Sequence, residues 1–520
     1  MASGFADGNN LKDFIAGCAF VVAYIAMLIY LLKKKNWFMA AGAFFITPFI
    51  FLGWKEAFVR ADGHTTYFEH AIYLSLLYVI NLKNSMLRMQ STTTSEHPLH
   101  NMRYILVVVI VIIIGPSLKQ SLLPNNELLS YFNISKNAEQ YYGEIERNKE
   151  NVRNQYAGFA AAAEYIAGET VDIFPWDISA LYAYGLNWVP RPVPQSYSDY
   201  TDILDNLTAG HFTSDNAPQK ILYGLTAIDG RYPAFDEPAT FRTVLERYNL
   251  VTNINDYLLL DRSKTAKEPQ RREIGTYRAK IGEAIDVPIV NNAYVYMNID
   301  WKPTLLGKLA NFVLKAPLNH ILFTLDYGSK PQYRFIRSPA KNGLFVSTFV
   351  GDISDLANVF KGDFIPNITS VTIAGNPWFY KKQFDVSFFA VPLEQFDRTV
   401  DVDVKTTTIA VEFHDELQTG LYQMFYAVDQ VFSEWQSKRI NLNAPAKRLE
   451  FTLPKRNDIN SWRLDFPEDT LSEYRILSIE NLDAGYKSYT VDGTNGIDHN
   501  NGNVKVTGAD PFFVFHFISH

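Results

Sequence analysis

The sequence predicts a multi-domain membrane protein: an N-terminal α-helical transmembrane bundle of about four spans, a small α/β domain, and two β-sandwich-like domains. Three observations carry this. Apolar runs of spanning length are confined to the first 120 residues, strand and helix patterns alternate between about Val171 and Leu260, and strand patterns broken by Gly, Pro and Asn dominate from about Arg272 onward. The expected domains are residues 1–120, 121–270, 271–396 and 397–520. A chain of 520 residues is too long for one core, which agrees with this division.

The first apolar run, Ile15 to Leu32, is long enough to cross a ~30 Å hydrocarbon layer at 1.5 Å per residue. Lys33, Lys34 and Lys35 follow it. A cleaved leader carries its charges before a shorter apolar core, so this helix is expected to persist. The second run, Trp37 to Trp54, has aromatic residues at both ends, as membrane interfaces favour. Tyr67 to Leu82 and Tyr104 to Leu118 make a third and a fourth. Lys33, Lys34, Lys35, Lys83, Arg88 and Arg103 fall on one side of these spans, against Lys12, Lys55 and Arg60 on the other. The richer side should be cytoplasmic, which places everything after Lys119 outside the cytoplasm. If the third run does not cross, the sidedness inverts.

Past the membrane, Ser135 to Ala167 reads as helix, with Tyr141, Ile145, Val152 and Tyr156 on one face. Strand-like Val171–Phe174, Lys220–Leu225 and Tyr257–Leu260 then alternate with helix-like Tyr200–Leu207 and Ala239–Tyr248, the pattern of an α/β domain with a largely parallel sheet. From Val287 to Val391 the strand patterns suggest a sandwich with one helix at Leu305–Leu314. A second all-β unit runs from about Val400 to the end.

Charge and cysteine content exclude several classes. With 48 Lys and Arg against 55 Asp and Glu, the balance is acidic, and nucleic acid is not an expected partner. The single cysteine, Cys18, lies in an apolar run and can form neither an intrachain disulfide nor a cysteine metal site. No Walker-type phosphate loop, no G-x-S-x-G elbow and no H-E-x-x-H stands in the chain, and no metal is assigned.

Three polar clusters remain as candidate chemistry. Lys55 to His64 follows the second span, where Arg60 could hold a lipid-linked phosphate and Asp62 or His64 act as base. The alternative is a set of interfacial charges that snorkel or pair. Phe174-Pro-Trp-Asp-Ile178, with Tyr182, Tyr184, Trp188, Arg191, Gln195 and Tyr197, interleaves aromatic and polar groups, so that Trp176, Asp177, Trp188 and Arg191 could bind a sugar. An aromatic core with Pro-rich turns would look the same. In Ile228 to Pro238, Asp229, Asp236 and Glu237 could supply a carboxylate pair, and Arg231 could hold an anion. Otherwise Asp236 and Glu237 cap the helix that begins near Pro238, and Asp229-Gly makes a turn.

The stretches Phe58–His64, Pro175–Ser179, Asn187–Pro192, Gln195–Ser198 and Asp229–Pro238 resemble bacterial polytopic membrane proteins grouped with GT-C-type glycosyltransferases and envelope polysaccharide assembly. The resemblance runs from about Trp54 to Glu394. It implies a bacterial cytoplasmic membrane protein using a polyprenyl-phosphate sugar donor, with Asp62 as the acidic residue of an extracytoplasmic loop. It also implies many more than four spans, so the chain looks like the C-terminal portion of such a protein. Two functions follow as expectations. One is a reduced glycosyltransferase, or a subunit working with a polytopic membrane partner that supplies the missing helices. The other is a non-catalytic, membrane-anchored glycan-binding or scaffold protein. Convergence of Asp62, Asp177, Asp229 and Asp236 on one cleft would favour the enzyme, and dispersal the scaffold.

Overall fold

The computed structural model describes residues 10–60, positions 68, 71, 72, 75 and 78, and residues 138–518 except 167, 265–267, 314–316, 397, 399–401, 403, 428–431, 434–435, 457–458, 468–472, 501–502 and 507–509. The chain divides into two compact units. One holds residues 1–145 with two later excursions, Pro303–Leu318 and Trp378–Tyr380, and the other holds the rest.

The N-terminal unit begins with α1 (Asn10–Lys33) and α2 (Trp37–Arg60). Tyr24, Ile50, Trp54, Ala57 and Phe68 form their shared core, with the Trp54 and Phe68 rings edge to face at 5.4 Å. The outward faces stay apolar: Val22, Ile25, Phe44, Phe45 and Leu52 are exposed. Trp37–Ala57 is long and apolar enough to cross a membrane, and Gly17–Lys33 is a shorter apolar stretch. Of the four expected spans, the third falls largely and the fourth wholly outside the described residues. An apolar helical N-terminal region therefore stands as the structural statement.

The boundary between the units falls within α3 (Ala138–Gln155), and the second unit continues from Glu146 through α4 (Phe159–Ile166) to a mixed five-stranded sheet. Its elements are β1 (Thr170–Phe174), α5 (Ile178–Ala183), β2 (Asn187–Trp188), α6 (Asp202–Thr213), β3 (Lys220–Gly224), α7 (Pro238–Arg247), β4 (Tyr248–Ile254) and β5 (Tyr257–Arg262). The strand order is β2-β1-β3-β5-β4, with β1, β2 and β3 parallel and β5 antiparallel to both neighbours. The expected largely parallel sheet is thus only partly so. Asn255 and Asp256 alone separate β4 from β5, and two residues can close a hairpin but not a crossover. Because β2 and β3 flank β1, the chain reverses direction across the sheet at β1. That is where α/β sheets open a crevice at the carboxyl ends of their strands.

Two four-stranded antiparallel sheets follow. They are built from β6 (Arg272–Lys280), β7 (Ala284–Asp286), β8 (Ala293–Asp300), β9 (Asn319–Leu325), β10 (Gln332–Phe335), β11 (Leu344–Phe345), β12 (Ile368–Ala374) and β13 (Gln383–Pro392). The strand expected over Val287–Ile299 is shortened by a turn at Asn291-Asn292, where Asn292 has φ 54°. Helix α8 (Leu305–Val313) forms where the sequence places it, but it belongs to the N-terminal unit and not to the sheets. Helix α9 (Ile353–Lys361) was not anticipated, although its signals are local. Asp352 accepts from the amides of Ser354 (2.8 Å) and Asp355 (2.9 Å), and Gly362 ends the helix at φ 75°.

The C-terminal region holds β14 (Thr406–Leu417), β15 (Gly420–Ala427), β16 (Ser437–Leu442), β17 (Ala446–Pro454), β18 (Ser461–Asp465), β19 (Glu473–Asn481), β20 (Tyr489–Asn495), β21 (Ile497–Asn500), β22 (Asn503–Val506) and β23 (Phe512–Phe517). They form two five-stranded sheets, β17-β14-β19-β22-β21 and β16-β15-β18-β23-β20. Alternation along the strands drives one apolar side of each into a single cluster. Ile409, Val411, Phe451 and Ile479 come from the first sheet, and Tyr422, Met424, Trp462 and Phe513 from the second. Phe451 is fully buried there. Phe451→Ala should cost about 3–5 kcal/mol, read as a lowered denaturant midpoint for the C-terminal region. An unchanged midpoint would mean that the cluster is not the core of this region.

Candidate functional site

The turn after β1 is held from beneath by a buried ion pair. Asp172, within β1, is fully buried and meets Arg191 Nη1 at 2.9 Å. The same guanidinium donates to the carbonyls of Ile173 (2.7 Å) and Pro175 (2.9 Å) and to Ser196 Oγ (3.2 Å), and it lies 3.9 Å from the Phe174 ring centroid. Trp188 Nε1 donates to the other Asp172 oxygen at 2.9 Å. Arg191 and Trp188 therefore brace the Phe174–Trp176 turn. The Arg191 side chain exposes no surface with which to meet a ligand.

Beside this brace lies a group of buried acids. Asp205, on α6, accepts from the amides of Ala239 (2.9 Å) and Thr240 (3.0 Å), from Thr240 Oγ1 (3.1 Å) and from Asn342 Nδ2 (2.7 Å). It caps α7 from a neighbouring helix, because Glu237, at the cap position, makes no capping bond. The expected cap from Asp236 or Glu237 is therefore replaced by Asp205. Burial pushes the Glu237 carboxyl up to about 8, outweighing the Arg191 guanidinium. Burial and then the charge of Asp205 push Asp199 up to about 7. Burial raises Asp236 to about 6 against the pull of Arg231. Among the described residues, no donor closes a well-aligned hydrogen bond on either oxygen of Asp199 or Glu237, although the Thr208 and Ser196 hydroxyls lie close enough to offset part of the upward push. These acids are neutral in the folded protein over pH values where the unfolded chain ionises them.

The open chemistry lies to one side, at the carboxyl end of β3. A cavity of about 340 Å³ is lined by Tyr156, Phe159, Thr226, Asn255, Asp256, Tyr257, Gln436 and Arg456. Tyr156 donates to Asp177 Oδ1 at 2.8 Å and Tyr257 to Asp177 Oδ2 at 2.6 Å, so Asp177 fixes both phenols along the wall. Burial and the Asp177 charge push the Tyr156 hydroxyl up to about 12, which keeps it a proton donor. Asp256 accepts from Tyr426 (2.8 Å), Gln436 Nε2 (2.9 Å) and Arg456 Nη1. Phe159 and Tyr257 meet edge to face at 4.9 Å. The result is a pocket with aromatic walls and amide, guanidinium and phenol groups at its rim, of a size that holds a small ligand.

None of the sequence-predicted site residues that the structure describes lines this cavity. Asp177 stands behind the pocket. Asp229, at φ 56°, pairs with Arg334 at 2.7 Å. Arg231 is buried, donating to the Tyr197 carbonyl at 2.8 Å and facing Asp236 at 3.4 Å. Trp176 packs edge to face on Tyr197 at 5.5 Å. Arg60 is the last residue of α2, and Asp62 and His64 lie outside the described residues. Among the described residues, no group of three or more His, Cys, Asp or Glu is placed to hold a metal ion. Sequence reasoning missed Asp256, Gln436 and Arg456, because Asp256 lies 180 positions from Gln436 and 200 from Arg456 and no local motif joins them.

The fold and site define a β-rich protein with an apolar helical N-terminal region and a polar-aromatic cleft beside a mixed α/β sheet. No protein-family model, no curated protein and no solved structure matches the chain.

The raised acids make stability pH-dependent with a fixed sign. Glu237 and Asp199 have folded values of about 8 and about 7, above their ordinary values. They contribute stability that is full below the unfolded values and lost as pH rises through the folded ones. The denaturant midpoint should therefore fall between about pH 5 and pH 8, and Glu237→Gln should flatten that slope. An equally steep slope in the variant would exclude Glu237 as its source.

Proposed function

We propose that the chain is a membrane-anchored component of bacterial cell-envelope glycan assembly that binds glycan without transferring it. The observation that carries this reading is the cleft lined by Tyr156 and Tyr257 beside Asn255, Gln436 and Arg456. Sugar rings present apolar faces that stack on aromatic side chains, and hydroxyls that suit amide and guanidinium groups. A transferase with a phosphate-activated donor needs a carboxylate or similar base free to act at the reacting bond, and among the described residues the carboxylates at and behind the cleft are not free for it. Here Asp177 and Asp256 are each engaged by phenol, amide or guanidinium donors, and Asp199, Asp236 and Glu237 are buried.

In this reading the N-terminal helices hold the protein in the cytoplasmic membrane, and the sheets, packed as two-layer sandwiches, stand on the extracytoplasmic side. A lipid-linked sugar or its polymer is the ligand, and a polytopic partner supplies any transferase.

The purified chain should bind envelope-type polysaccharides on a glycan array, and Gln436→Ala should weaken the best ligand about tenfold, or about 1.4 kcal/mol. Binding to no glycan above background would end the proposal. Sugar transfer from a polyprenyl-phosphate donor, lost in Asp62→Ala, would replace it with the transferase reading.

A further inference from the structure

Helix α8 presents an apolar stripe to the outside of the molecule. Leu305, Leu309 and Phe312 recur at helical spacing and are 85%, 57% and 61% exposed, and Trp378 is 74% exposed. The opposite face is fixed: Gly307 lies so close to the Phe379 backbone that a β-carbon there would approach its carbonyl oxygen to 1.9 Å. A water-facing helix normally turns its apolar stripe inward, so this one is oriented for a non-aqueous surrounding.

The C-terminal end of α8 is tied to the end of the apolar span. Trp54 Nε1 donates to the Val313 carbonyl at 3.0 Å, Lys55 Nζ donates to the Asn311 carbonyl at 3.2 Å, and the Phe51 and Phe312 rings stack at 4.9 Å. These carbonyls belong to the last turn, where a helix has no N–H donors of its own to offer them. Trp54 and Lys55 stand at the polar end of Trp37–Ala57, and indole and ammonium groups are the side chains that favour the boundary between hydrocarbon and headgroups. Their bonds to Asn311 and Val313 therefore set α8 at the depth where the span leaves the hydrocarbon.

We propose that α8, with Trp378, is an interfacial membrane element. Its Leu305, Leu309 and Phe312 face is sunk into the headgroup–acyl boundary of the bilayer that α2 crosses, while Lys308 stays near the phosphates. This rests on the membrane-anchored reading above. An amphipathic helix of this kind buries its apolar face about 5–10 Å into that boundary.

The test places nitroxide labels on the full chain, with Cys18→Ala removing the native thiol, in nanodiscs of phosphatidylethanolamine and phosphatidylglycerol. Labels at Leu309→Cys, at Phe45→Cys on the span and at Tyr277→Cys on β6 are compared for collision with oxygen against a water-soluble nickel chelate. Leu305→Cys serves if Leu309→Cys fails to fold. The Leu309 label should show an oxygen-to-nickel ratio several-fold above that at Tyr277. A ratio equal to that at Tyr277, with Phe45 still lipid-exposed, would overturn the α8 proposal and leave the membrane reading standing. A water-exposed Phe45 label would remove both. Dipolar broadening between Leu309 labels of two copies would assign the stripe to self-association and overturn the proposal as well.

Discussion

The Asp172–Arg191 pair fixes the α/β region. A guanidinium with no exposed surface must find its partners within the protein, and the two terminal nitrogens of Arg191 do so on one carboxylate, two carbonyls and one hydroxyl around a single turn. Two charges taken out of water gain little net stability from each other, but removing one alone leaves the other stranded. The pair therefore sets the course of the chain between β1 and α5 more than it adds to folding energy. Asp177 lies two residues beyond the braced carbonyl of Pro175, and the two phenols that wall the cleft hang from it. The pocket's shape thus traces back to a charge that never meets a ligand.

The polar groups separate into two populations with different chemistry. Around the cleft, each carboxylate has donors upon it and the phenols are held protonated, an arrangement suited to selecting a ligand by hydrogen bonds. Behind it, Asp199 and Glu237 are buried without matched donors and are neutral at moderate pH. Neutral acids of this kind carry a desolvation cost, but one far smaller than an ionised carboxylate would carry in the same place.

Much of the secondary structure was legible in the sequence because it is local. The strands at Thr170–Phe174, Lys220–Gly224 and Asn319–Leu325 and the helix at Leu305–Val313 follow from apolar periodicity alone. What escaped depends on distant partners or on very short connections. The two-residue Asn255-Asp256 turn makes half of the α/β sheet antiparallel, and the acceptor that finishes α7 is Asp205, over 30 residues upstream. The aromatic run from Phe174 to Tyr197 was legible as a cluster, but its division of labour was not. Whether Arg191 faces a sugar or a carboxylate is decided by what β1 places beneath it. The cleft was the least legible feature, since Tyr156, Tyr257 and Arg456 come from three separated stretches that fold against one another.

The bond from Trp54 to Val313 spans 259 positions of the chain. Strand β8 ends at Asp300 and β9 begins at Asn319, so α8 is threaded between two strands of different sheets while it completes the helical unit begun at Asn10. A ribosome releasing this chain delivers α2 long before its partner. The N-terminal unit cannot close until the α/β region and β8 have been synthesised, and removing the first helices leaves α8 inside the remaining fragment with an apolar face and no companion. The two units are separable by contact but not by a single cut, because the chain passes from one to the other more than once.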